Sequence, residues 1–118
     1  MDKEKTTDDP RPSVFSISDL IQYQDGAVVS RVVLKSPGGS VTLFAFDKLQ
    51  TISEHTTPHE ALIQVLDGKG EVTIDGIAYP VGQGEMILLP ADHPHAVSAI
   101  SKFKMVLTML RHDAKATA

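Results

Sequence analysis

From Gly26 to Arg111 the chain runs in short stretches rich in Val, Ile, Leu and Phe. Clusters of Gly, Pro, Asp and Ser break them at intervals of about ten residues, the rhythm of an antiparallel β protein. This spacing predicts strands near 27–35, 40–47, 50–56, 60–66, 70–74, 77–81, 85–89, 95–100 and 103–111. Period-two alternation is clear in Val72-Thr73-Ile74 and from Phe103 to Met109. Ile74-Asp75-Gly76-Ile77 reads as a hairpin, because a two-residue type I′ turn needs positive φ at both central positions and Asp-Gly tolerates it. In that register Ile74 faces Ile77 and Val72 faces Tyr79. Pro80, which has no N–H to give, then belongs at a strand end or on an edge. One helical turn is expected at 16–22, with Ser16 as cap, Asp19 three residues on, and Ile17, Leu20 and Ile21 on one face. Strands joined by hairpin turns, with no helices between them, make an antiparallel sandwich or barrel, and a closed barrel leaves a lumen.

With 118 residues, 42% of them apolar, the chain suits a single domain able to hold a core unaided. It has no cysteine, which excludes disulfides, thiolate metal sites and thiol nucleophiles. A net charge of -4 and an aromatic content of 5%, with no Trp, argue against a nucleic-acid partner. No apolar run approaches the roughly 20 residues needed to cross a bilayer. The opening MDKEKTTDDPRP has no apolar core of the kind a secretory signal needs, so the expectation is a cytoplasmic protein with no membrane partner. Polar, aperiodic ends predict tails over 1–12 and 112–118, flanking one domain over 13–111.

Four of the five histidines fall in two tight pairs, His55/His59 and His93/His95. An extended chain points residues i and i+2 to one side, so His93 and His95 could share a focus. Positions 55 and 59 share a face only if the turn at Thr57-Pro58 does not slip the phase. Three imidazoles with an open position are a metal site in outline. An equally simple reading makes these histidines polar loop residues.

The stretch from His55 to Gly68, followed by Gly84 to His95, resembles the two motifs of the small single-domain cupins of the type-2 conserved barrel family. Their fold is an all-β double-stranded β-helix, or jelly-roll, barrel. The first family motif runs His-x-His, three or four residues, Glu, six residues, Gly; the second runs Gly, five residues, Pro-x-Gly, two residues, His, three residues, Asn. Gly84, Pro90 and His95 match the second motif, and His55 and Gly68 match the ends of the first. Thr57 stands at the second histidine position, Ala61 at the carboxylate, Asp92 at the second glycine and Ala99 at the asparagine. Of the family's three-His, one-Glu ligand set, only His55 and His95 are present.

His59 lies two residues before the missing carboxylate, and alternation aims it at the same lumen. The candidate metal ligands are therefore His55, His59 and His95, with His93 in reserve. Imidazole ligands suit Zn, Fe, Ni, Mn or Cu, and such an ion would activate a small oxygen-bearing substrate as a Lewis acid. The alternative is a metal-free barrel whose histidines bind a small organic ligand or hydrogen-bond each other.

By phase, Phe103, Met105, Leu107 and Met109 line the lumen with Phe44 and Phe46, while Lys104 and Thr108 face out. Leu62, Gln64 and Leu66 also face outward. An outward Leu pair suggests a second sheet or subunit, and the resemblance implies a homodimer. Glu54 and Glu60 flank the first histidine pair, but alternation aims both away from it. Gly68-Lys69-Gly70 and Gly82-Gln83-Gly84 lack the remaining spacing of a phosphate loop and read as turns.

Overall fold

Valine-, isoleucine- and phenylalanine-rich segments bounded by turn residues become nine strands in the computed structural model, which describes residues 12–111. They are β1 (Val28–Ser36), β2 (Gly39–Phe46), β3 (Thr51–His55), β4 (Glu60–Asp67), β5 (Lys69–Ile74), β6 (Ile77–Gly82), β7 (Met86–Leu89), β8 (His95–Ala99) and β9 (Phe103–Leu110). The tails expected over 1–12 and 112–118 lie outside the described residues, Pro12 aside. Among the described residues no helix is long and apolar enough to cross a membrane.

The strands form two antiparallel sheets, one in the order β1-β2-β9-β4-β7 and the other β3-β8-β5-β6. This is the jelly-roll arrangement of a barrel. Its core lies between the sheets, where Phe46, Ile63, Val65, Val72, Val97, Phe103 and Met105 are all buried. The Phe46 and Phe103 rings stack with centroids 4.5 Å apart. Phe44, Leu107 and Met109 pack against this core but stay partly exposed, as the odd-numbered phase of β9 requires.

The turns follow from backbone sterics. Asp75 and Gly76 have φ of 53° and 79°, and Ile74 pairs with Ile77, Val72 with Tyr79, as a type I′ hairpin demands. Pro80 lies on β6, an edge strand. Gly68, at φ 74°, leaves no room for a side chain, since a Cβ would stand 1.9 Å from the Lys102 carbonyl oxygen. Asp92 replaces a motif glycine yet keeps a φ of 67°, a left-handed conformation that Asp tolerates better than most side chains.

The expected helical turn is a single 3-10 turn, Ile17–Leu20. Ser16 does not cap it with its side chain; instead its carbonyl accepts the Asp19 N–H at 3.0 Å. A lone tight turn is closed by this backbone bond, so the hydroxyl has no helix to start. Beyond it the N-terminal segment lies across the outer face of the five-stranded sheet, burying Ile21 against Leu43, Ala45 and Val106, with Leu66 at the edge. Lys104 Nζ donates to the Ser18 carbonyl and Arg31 Nη1 to that of Leu20, each at 2.8 Å, while the Tyr23 hydroxyl donates to Asp67 at 2.6 Å. Half of the outward apolar pair, Leu66, is thus covered by the chain itself; Leu62 is not.

Candidate functional site at the barrel mouth

One end of the barrel collects β3's last residue, β8's first, and the turns that lead into β4 and β6. Here His55 pairs across the sheet with His95. The register shifts between Ile52 and His55, so that two residues of β3, Ser53 and Glu54, stand against one of β8, Ala96. That extra residue brings His55 level with His95 and leaves Glu54 exposed. The two rings meet edge to face, with centroids 4.3 Å apart.

Both rings are oriented by backbone carbonyls. His55 Nδ1 lies 3.0 Å from the Ser53 oxygen and His95 Nδ1 lies 3.1 Å from the His93 oxygen. A carbonyl only accepts, so each Nδ1 carries a proton, and in the neutral ring Nε2 keeps its lone pair. Burial holds the His95 pKa below the ordinary imidazole value; proximity to His55 lowers it further, and the bond to the His93 carbonyl works the other way. His95 is therefore a neutral base or hydrogen-bond acceptor at neutral pH.

His93 and His59 go elsewhere. His93 precedes β8, where strand alternation does not yet operate, and its Nδ1 lies 2.7 Å from an Asp75 carboxylate oxygen at the hairpin tip. The shared focus expected for His93 and His95 is not formed. The link between β3 and β4 carries the chain from one sheet to the other, which breaks the phase between positions 55 and 59. His59 lies in a cleft with Lys35, Ser40, Met109 and Arg111, whose lining does not include His55 or His95. Among the described residues no group of three or more His, Asp or Glu side chains is placed to hold a metal ion. With Ala61 buried at the carboxylate position, the donors that converge are two imidazoles. That set is too small for the three- or four-ligand sites in which divalent ions are held.

The turns that lead into β4 and β6 are each tied to the loop between β7 and β8. The Asp92 N–H donates to the Thr57 carbonyl at 2.8 Å, and the Asp75 N–H to that of Pro94 at 3.0 Å. The sequence marks Asp75, the partner of His93, only as a turn residue, and it marks Lys35 and Arg111 not at all. Extending the phase of β9 by two residues past Met109 would have placed Arg111 on the lumen side.

Comparison with known proteins places these features in a family. The cupin domain family matches residues 42–111. The chain belongs to the cupins. A conserved protein of unknown function from Streptococcus pyogenes is 30% identical, with a TM-score of 0.82, over 88% of this chain and 91% of its own. A cupin 2 conserved barrel domain protein from Leptotrichia buccalis is 36% identical, with a TM-score of 0.80, over 82% of this cupin and 47% of that chain. A cupin superfamily protein from Desulfitobacterium hafniense is 23% identical, with a TM-score of 0.81, covering 87% and 94%. No curated protein matches.

Proposed function

We propose that this cupin binds a small organic molecule at the barrel mouth without a metal, using the His55–His95 pair as its polar contact. The observation that carries the reading is the edge-to-face pair itself, with both Nδ1 atoms committed to backbone carbonyls. Two Nε2 lone pairs suit a ligand that donates hydrogen bonds, and a neutral His95 suits proton abstraction if the molecule is turned over. Between the sheets Phe44, Leu107 and Met109 are apolar and only partly buried, the kind of surface that small-molecule sites use.

Thermal shifts over a metabolite panel, recorded in a chelator, test this. At least one compound should stabilise the protein, and His55→Ala with His95→Ala should abolish the shift. Shifts that appear only with added divalent metal, together with stoichiometric metal in elemental analysis, would overturn the reading in favour of a metal site at His55, His59 and His95. The same proposal includes a homodimer, supported by the uncovered outer strip of Met86, Leu88, Leu62 and Leu110.

A further inference from the structure

The cleft that holds His59 is chemically unlike the rest of the mouth. Its volume is about 200 Å³, and its walls are Lys35, Ser36, Ser40, His59, Met109 and Arg111 around the tight turn before Gly39. The register explains the assembly. Lys35 pairs with Ser40, Ser40 with Met109, and Met109 with Ala61, so all four lie in one row across the five-stranded sheet. Met109 and Ala61 belong to the lumen side, which puts Lys35 and Ser40 there too. Arg111 and His59 continue the same phase two residues beyond Met109 and before Ala61. The Arg111 N–H donates to the Gly38 carbonyl at 3.0 Å, which fixes the end of β9 against the β1–β2 turn.

Two permanent cations and two hydroxyls thus converge with no carboxylate in the lining among the described residues. Neither Lys35 nor Arg111 has an ion-pair partner among the described residues. Glu60, the nearest acidic residue in sequence, lies on the opposite face of its strand, against Leu62 and Leu110. In a chain of net charge -4, a cationic cleft that no described carboxylate lines, beside the apolar interior of the barrel, fits one ligand chemistry. A guanidinium fork takes two oxygens of an oxyanion, an ammonium supplies a point charge, and a serine hydroxyl donates a third bond.

We propose that Lys35, Ser40 and Arg111 form an oxyanion subsite that takes the carboxylate or phosphate group of the small molecule bound at the mouth. The inference rests on the reading of the mouth as a small-molecule site and names the substrate class: a compact organic acid or phosphate ester with an apolar or hydroxyl-bearing body.

Isothermal titration with inorganic phosphate and with succinate, at constant ionic strength and in a chelator, tests it. Saturable binding on the order of millimolar is expected for the bare anions, because the cleft is open to water. Binding of phosphate alone assigns the phosphate class, of succinate alone the carboxylate class, and of both the shared chemistry. Lys35→Gln and Arg111→Gln should each weaken binding about tenfold, as loss of a charge-assisted hydrogen bond implies. Arg111→Lys should recover part of it. Substitution of His55 and His95 by Ala should leave anion binding within about twofold, because additivity holds for groups that share no partner. No saturable binding to the wild type, or undiminished binding to the glutamine variants, would overturn the subsite while leaving the His55–His95 reading to its own experiment.

Discussion

His95 is the residue whose environment most constrains its chemistry. Burial disfavours its imidazolium, and a second imidazole 4.3 Å away adds to the effect. The folded protein therefore takes up this proton less readily than the unfolded chain does. The resulting stability is present above the ordinary histidine pKa of 6.5, declines as pH falls below it, and is gone once pH has dropped through the lowered folded-state value. Asp47 acts in a lower window: its carboxylate accepts the Gly26 and Lys48 N–H groups, and that contribution fades only below 3.8. The urea midpoint of the wild type should fall between about pH 7 and 5, while that of His95→Gln stays nearly level. Parallel curves for the two proteins would contradict this account. The sequence already showed His55 and His95 as motif remnants, and their meeting was legible from that. The diversion of His93 was not, because its partner Asp75 is eighteen positions away on a hairpin tip.

At the scale of elements, strand positions were readable almost residue for residue, since turn chemistry at Asp75-Gly76 and Gly68 leaves the chain few choices. The N-terminal arm was less legible. Its helical turn is too short to carry amphipathic periodicity, and what holds it down comes from distant strands: Lys104 of β9, Arg31 of β1 and Asp67 of β4. Lys104 is itself buried, with its ammonium 5.1 Å from the centre of the Tyr23 ring. Burial and the bond to Asp67 push the Tyr23 hydroxyl's pKa upward, so it remains a donor throughout the neutral range. The arm's anchor is Ile21, 4% exposed. Ile21→Ala should cost about 2–4 kcal/mol in chemical denaturation, and should speed amide exchange along the segment before β1 more than in β5 or β8. A cost near zero would mean that the arm contributes no core.

For the whole molecule, the outer face of the five-stranded sheet is half covered. The arm shields Leu43, Ala45 and Val106, whereas Leu62, Leu88, Met86 and Leu110 remain open, with Leu88 59% exposed. A second copy meeting this strip would bury it by two-fold symmetry. Sedimentation velocity should show a dimer for the wild type and a monomer for the double variant Leu62→Glu, Leu88→Glu, with the fold retained by circular dichroism. A wild-type monomer at every concentration would remove the homodimer from the proposal. At the mouth, chain length has a consequence of its own. The surplus residue in β3 acts as a spacer that selects which side chain meets His95. Inserting one residue between Ile52 and Glu54, with the bulge kept, would bring Glu54 into line with His95, exchanging an imidazole for a carboxylate and a base–base pair for an acid–base dyad. In this barrel a single insertion in an edge strand turns one reactivity into another without any change of side chain at the mouth.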